Sequence, residues 1–296
     1  MRVAIAVGIL LVAVCIVIAT ADSNRFHTVS YRVGTKKVDR PFHFVFLSDL
    51  HNKCYGKQNE KLLAAIDRIA PDAVLIGGDI LTAKPGASLE AAIHFVSSLA
   101  QHYTVYYANG NHEQRLKLYP EKYGSMAEEY ERAMAGIGIR RLVNESRMDA
   151  VHKVQITGCE IDRHYYKRFQ KICIDSTYLL KILPPACADT FQIVLAHNPD
   201  YFDAYAAWGA DLVLSGHVHG GVARLPGLGG VISPSCRLFP KYDGGLFRRG
   251  DSTMIISRGL GAHTIPLRFL NPAELVEITI EPRQEDAPKE RKEVVS

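Results

Sequence analysis

Five short apolar runs in this chain each end in residues that bind metals or protons. Phe44-Val45-Phe46-Leu47 leads into Ser48-Asp49-Leu50-His51, and Ala73-Val74-Leu75-Ile76 into Gly77-Gly78-Asp79. Val105-Tyr106-Tyr107-Ala108 leads into Asn109-Gly110-Asn111-His112-Glu113. Ile193-Val194-Leu195-Ala196 is followed by His197-Asn198-Pro199, and Leu212-Val213-Leu214 by Ser215-Gly216-His217-Val218-His219. Runs of this length, without strict alternation, suit strands buried on both faces. Helical patterns separate the first three. Residues 60–70 put Leu62, Leu63, Ile66 and Ile69 on one face before Pro71 stops them. Residues 88–101 do the same with Leu89, Ala92, Ile93, Val96 and Leu99, and Ser88 is a candidate N-cap. Strand-helix-strand alternation specifies a layered α/β fold. Further strands are expected at 154–157, 253–257 and 276–280, a helix over 125–135, a strand near 141–143, and loops from 220 to 250.

In open α/β sheets, sites form beyond the carboxyl ends of strands. Imidazole and carboxylate without thiolate suit Mn, Zn, Fe, Ni or Co rather than Ca or a soft metal. The candidates Asp49, His51, Asp79, Asn111, His197, His217 and His219 exceed what one tetrahedral ion takes. They suit two divalent ions sharing a carboxylate, the arrangement that clamps a phosphoryl group and generates hydroxide. Taken singly, each signal is weak. His217-Val218-His219 could be a half-buried strand pair and Asp49-Leu50-His51 a helix cap. Recurrence at five strand ends decides for the metal reading.

Composition removes other classes. A net charge of +4 over 296 residues gives no concentrated basic face, so no nucleic-acid binding is expected. Six scattered cysteines without a CxxC pair support neither a disulfide scaffold nor a thiolate zinc module. No GxxxxGK[ST] loop, zincin spacing or GxSxG elbow occurs.

Residues 3–21 carry no charge and read as a membrane-spanning helix or an export signal, giving a first segment over 1–24. An uncleaved anchor at the cell membrane is the reading adopted, although Ala19-Thr20-Ala21 fits a small-x-small cleavage site. Arg25, Arg32, Lys36, Lys37 and Arg40 follow, which by the positive-inside rule keeps the body cytoplasmic. A cleaved segment would export it. The catalytic body is expected over 40–280, and 281–296 as a disordered, solvated tail.

Asp49-x-His51, Gly78-Asp79, Gly110-Asn111-His112-Glu113, His197 and Gly216-His217-Val218-His219 together resemble the signature of the calcineurin-like metallophosphoesterases. The resemblance covers about residues 43 to 280. It is finest with the membrane-linked bacterial branch typified by YkuE and YaeI. Features shared with that branch are His197-Asn198-Pro199, Gly220-Gly221, Lys241-Tyr242-x-Gly244, Ser257-Arg258-Gly259-Leu260-Gly261, Pro266 and Asn271-Pro272. Val222 stands where that branch usually has Gln. The resemblance implies a β-sandwich core flanked by helices (αββα), with the metal site at the carboxyl ends of strands. It implies one metal on Asp49, His51, His219 and a bridging Asp79, and a second on Asp79, Asn111, His197 and His217. It makes His112 the catalytic group that protonates the leaving oxygen. The implied activity is hydrolysis of a phosphate mono- or diester by a metal-bridging hydroxide, on a membrane or lipid-linked phosphoester. Alternatives are a soluble nucleotide or cell-wall phosphoester, or a silent metal-binding scaffold.

Residues 162–178 are basic with interleaved aromatics: Arg163, His164, Tyr165, Tyr166, Lys167, Arg168, Phe169 and Lys171. They read either as a lid touching the substrate through Arg163 and Lys167 or as an amphipathic helix with a solvated face. Arg258 and His263 either meet the substrate or cap the sheet.

Overall fold

The apolar runs do not alternate because both faces of their strands are covered. In Phe42–Leu47, Phe44 and Phe46 enter one apolar layer while Val45 and Leu47 enter another, as the two-residue period of a strand requires. The computed structural model describes all residues except 168–171, 176, 226, 234–237, 263–266, 284–289 and 295–296. In chain order the elements begin with α1 (Arg2–Asn24), β1 (Phe26–Thr35), β2 (Phe42–Leu47), α2 (Glu60–Ile69), β3 (Ala73–Ile76), α3 (Glu90–Ala100) and β4 (Thr104–Ala108). They continue with α4 (Asn111–Leu118), α5 (Pro120–Tyr123), α6 (Met126–Ile137), β5 (Arg140–Leu142), β6 (Ser146–Asp149), β7 (Val154–Cys159), α7 (Tyr178–Ile182) and β8 (Phe191–Ala196). The last part holds α8 (Phe202–Trp208), β9 (Leu212–Ser215), β10 (Arg224–Leu225), β11 (Gly229–Gly230), β12 (Gly245–Arg249), β13 (Ser252–Ile256), β14 (Ala273–Pro282) and β15 (Glu290–Val294).

Among the described residues, one sheet has the order β15-β1-β14-β2-β3-β4-β5 and a second the order β12-β13-β9-β8-β7-β6. The sheets pack face to face. Phe44, Phe46, Leu75 and Tyr106 of the first meet Ile156, Ile193, Leu195 and Leu214 of the second. Helices α2, α3 and α6 cover the outer face of the first sheet through Leu62, Ile66, Phe95, Val96 and Tyr130. Helices α7 and α8 cover the second through Leu179, Phe202, Tyr205 and Trp208. The result is the αββα sandwich expected from the sequence. Truncating a fully buried ring such as Phe46 to Ala would cost about 3–5 kcal/mol.

Strands β2, β3, β4 and β5 run parallel, as do β7, β8, β9 and β13. The carboxyl ends of the two parallel sets meet at one edge of the sandwich, and there the metal-type residues gather.

Three sequence expectations need correction. The body starts before residue 40, because β1 lies in the first sheet, parallel to β14. Val29, Tyr31 and Val33 turn inward on it, while Arg32 between them is exposed. The tail expected to be solvated begins inside β14, and β15 pairs antiparallel with β1. An edge strand offers backbone hydrogen bonds whatever side chains the partner carries. The Gly-rich stretch 220–250 contains the hairpin β10-β11 and the edge strand β12.

Helix α1 is long and apolar enough to cross a membrane by length and composition. Its 23 residues span about 35 Å at 1.5 Å per residue, against about 30 Å of bilayer hydrocarbon. An export signal meets the same criterion.

Candidate metal centre

The first sheet delivers its ligands on loops that are zipped together. Beyond β2 and β3 the backbone N–H groups of Asp49, His51 and Asn52 donate to the carbonyls of Gly78, Asp79 and Ile80, each at 3.0 Å. Asp49, His51 and Asp79 are thereby held at positive φ (55°, 50° and 54°), a strained state for residues other than Gly. Gly78 is obligatory: it sits at φ +92°, and a Cβ there would strike the Gly110 backbone of the next loop. After β4, Gly110 caps α4, whose first turn carries Asn111 and His112. The N–H of His112 donates to Asp79 Oδ1 at 2.7 Å, an N-terminal helix donor meeting a carboxylate.

The second sheet brings imidazoles. His197 follows β8, and its Nδ1 donates to the Gly77 carbonyl at 2.8 Å, which turns Nε2 toward the cluster. Past β9, the His217 N–H donates to Asp49 Oδ1 and Oδ2 at 3.1 and 3.0 Å. Gly216 must be small, since a Cβ there would collide with Ser48 Oγ and Asp49 Oδ2. His219 Nε2 lies 3.2 Å from Asp49 Oδ1 and 3.2 Å from His51 Nε2. Among the described residues three overlapping groups result, Asp49 with His51 and His219, Asp79 with His197 and His217, and His51 with Asp79 and His112, with donor atoms within 4.8 Å of one another in each group. Asp79 Oδ2 is central: it lies 3.1 Å from His197 Nε2, 3.8 Å from His51 Nε2 and 4.0 Å from His112 Nε2.

The cluster is buried, so its charges act on one another through little water. Burial alone would raise both carboxyls. The imidazoles of His219 and His197 outweigh it at Asp49, and those of His197 and His112 at Asp79, holding both below the ordinary range. Burial opposes charge on His197, yet Asp79 and Asp49 beside it raise its pKa to about 10. Burial and then neighbouring His197 push His217 down to about 3. Beyond the 3.1 Å contact between Asp79 Oδ2 and His197 Nε2, these two atoms and Asn111 Oδ1 are buried without a further hydrogen-bond partner. Buried polar atoms are ordinarily satisfied. Three such atoms in one oxygen- and nitrogen-donor cluster fit divalent cations.

A family model for the calcineurin-like phosphoesterases matches residues 42–221, more than half the chain and all of the candidate ligands. The chain belongs to this family. The phosphodiesterase YaeI of Escherichia coli is 26% identical over 243 residues, covering 80% of this chain and 82% of YaeI. The uncharacterized metallophosphoesterase YkuE of Bacillus subtilis is 37% identical over 90 residues, 30% of this chain and 31% of YkuE. An uncharacterized metallophosphoesterase of Helicobacter pylori is 27% identical over 256 residues, 84% of this chain and 62% of that protein. The match thus spans less than two thirds of two of these relatives. As a calcineurin-like phosphoesterase the protein is a metal-dependent hydrolase of phosphoester bonds.

Other sequence candidates sit differently in the phosphoesterase. Arg258 is taken up by buried Glu274, with Nε to Oε1 at 2.6 Å and its N–H to Oε2 at 3.0 Å. It lies beside the His219 loop, where its side chain packs on Gly220, but its charge is committed to the sheet. Arg163 lies over the Tyr166 ring at 5.5 Å, and Lys167 is exposed. The described part of 162–178 forms one 3-10 turn, Arg163–Tyr166, and ends on the first residue of the short α7. Tyr166 is what reaches the cluster, its ring 5.3 Å from that of His217. His263, Arg168, Phe169 and Lys171 lie outside the described residues. His43 and His152 pair with Glu277 and Asp149, as ordinary surface histidines do.

The reading of motifs missed the role of Glu113. Its carboxylate accepts the N–H groups of Asp79, Ile80 and Gly110, each at 2.9 Å, and the Tyr107 hydroxyl at 2.8 Å. It braces the Asp79 loop against α4. A signal was present, since an acid three residues past a helix cap is a capping pattern.

Proposed function

We propose that the protein holds two divalent cations, one on Asp49, His51, His219 and Asp79, the other on Asp79, Asn111, His197 and His217. The observation that carries this is the buried set of donor atoms gathered at Asp79 Oδ2, with His197 Nε2 at 3.1 Å and His51 Nε2 at 3.8 Å, together with the unpartnered Asn111 Oδ1. Bound there, such ions neutralise phosphate charge and lower the pKa of a water to be used as nucleophile. The chain's own residues do the rest. Asp79, fixed by the His112 N–H and by Glu113's hold on its loop, keeps the two groups at a set spacing. The Gly77 carbonyl fixes the His197 tautomer.

His112 faces the substrate position. Its Nδ1 accepts the Ala83 N–H at 2.8 Å, so its proton stands on Nε2, the nitrogen turned to the cluster. A backbone N–H cannot accept a hydrogen bond, so charging the ring means giving up the Ala83 contact. Burial likewise lowers its pKa. His112 therefore stabilises charge on the leaving oxygen by donating a hydrogen bond from Nε2. This reading differs from the full proton delivery that the family resemblance implies.

We further propose that α1 anchors the protein at the membrane, with the body cytoplasmic and a lipid-linked phosphoester as substrate. Support comes from the exposed apolar flank of α1 and from its last turn, which bonds to Lys53, Arg268 and Asn271 beside the ligand-bearing loops. The test is metal analysis of the full chain in detergent, then turnover of bis-p-nitrophenyl phosphate, lipid-linked phosphoesters in mixed micelles, and nucleotides. Bound metal without turnover on any of these would establish a silent scaffold. Turnover of nucleotides but not of lipids would overturn the lipid reading and leave the metal centre standing.

A further inference from the structure

The last turn of α1 is joined by hydrogen bonds to residues 268–271, the segment that holds the loop carrying His219. Asp22 is 1% exposed. Its Oδ2 accepts the Asn271 N–H at 3.1 Å, while Oδ1 pairs with Arg25 at 2.7 Å. One residue on, Ser23 Oγ accepts the Arg268 N–H at 3.0 Å. Both donor residues bond onward toward the metal centre. Asn271 Nδ2 donates to the carbonyls of His219 and Gly221 at 2.8 and 2.7 Å. The buried Arg268 guanidinium donates to the carbonyls of Arg258, Gly259 and Gly261. The Gly261 carbonyl also receives His219 Nδ1 at 3.3 Å. Lys53, two residues past His51, donates to Asn24 Oδ1 at 2.8 Å.

The His219 loop requires such clamps. His217, His219, Gly220 and Gly221 lie at φ +70°, +53°, +69° and +84°. A non-glycine residue in this region costs about 1–3 kcal/mol and persists only where its surroundings over-determine it. The two carbonyls held by Asn271 fall within this stretch. Asn271 is itself fully buried, and its backbone N–H is fixed by a side chain from α1.

We infer that Asp22 is a positioning residue of the metal centre: through Asn271 it fixes the backbone of His219, so the foot of the N-terminal helix belongs to the scaffold that orients this imidazole. The inference rests on His219 being a ligand. It means that displacing the end of α1 from the body loosens metal binding without touching any ligand.

The experiment uses the full chain in detergent micelles with Co²⁺ alone as probe. Affinity is read by competition with a chelator and ligand geometry by the visible d–d absorption. Asp22→Ala is expected to weaken Co²⁺ binding about tenfold, as loss of an outer-shell partner does, and to change the absorption band. Asp22→Asn keeps an oxygen for the Asn271 N–H and should restore most of both. Thr20→Ala removes a hydroxyl that bonds Ile16 O within α1 and should behave as wild type. Should Asp22→Ala fail to fold, Asp22→Ser, too short to reach Asn271, carries the same expectation. Wild-type affinity and spectrum in the Ala or Ser variant would sink the inference, as would equal weakening in Asp22→Asn. A wild-type chain that takes up no Co²⁺ would overturn the metal reading itself.

Discussion

The two sheets bring unlike chemistry to one edge. The first supplies both carboxylates, Asp49 and Asp79, together with Asn111, His51 and His112. The second supplies three imidazoles, His197, His217 and His219. Their braces differ in sign as well. On the first side the anionic Glu113 gathers backbone N–H groups from Asp79, Ile80 and Gly110. On the second, Asn271 and the cationic Arg268 gather carbonyls from His219, Gly221 and residues 258–261. A loop whose N–H groups point inward needs an acceptor, and one whose carbonyls point inward needs donors. Each half of the centre is thus held by the hydrogen-bonding groups its backbone demands, and both carboxylates available to a cation come from the first sheet.

The largest test of this division is at the shared oxygen. Asp79→Ala should empty both metal positions and lower turnover at least about a thousandfold, whereas His219→Ala should empty the position grouped with Asp49. Metal content per chain distinguishes them; equal losses in both variants would erase the two-group picture. Next comes His112. Replacing it with Ala should spare the metal and lower turnover about 10²–10³-fold. Gln, which keeps a donor, should recover part of that. A leaving-group series decides the role: a steep loss for poor leaving groups, unrelieved by Gln, would return full proton transfer to His112.

The braces give smaller effects. Glu113→Ala strands three N–H groups and a tyrosine hydroxyl, so unfolding in urea should show about 3 kcal/mol of lost stability. Metal affinity should fall about 10–100-fold. If affinity held while stability fell, Glu113 would be scaffold alone. The smallest expected effect on catalysis is at Arg258. Arg258→Ala strips buried Glu274 of its guanidinium, leaving the backbone N–H of residue 258 and His27 beside it, and should cost about 3 kcal/mol in stability, with KM unchanged. A raised KM at full stability would instead restore the substrate contact suggested by the sequence.

Much of the site was legible in the chain because ligands sit at the ends of strands. Apolar runs such as 73–76 and 212–214 declare themselves by local composition, and the residue after a strand is placed by chain connectivity alone. The same logic failed for β1. Its alternation of Val29, Tyr31 and Val33 was present, but the charges around it were read only for membrane orientation. Edge pairings such as β1 with β15 use backbone groups, which carry no side-chain signature. The strand assignments likewise do not say that β6 leaves the first sheet to begin another.

The sequence by itself determined the α/β class, the ligand types and their attachment to five strand ends, because these follow from local pattern and from chemistry fixed in the side chains. Only the tertiary structure decided which atoms face the centre, that Arg258 serves Glu274, that Tyr166 rather than Arg163 reaches the imidazoles, and that Asp22 supports His219 through Asn271. Those contacts join residues far apart in the chain, some of them some 250 positions from one another, and their geometry is set by packing that no local pattern encodes.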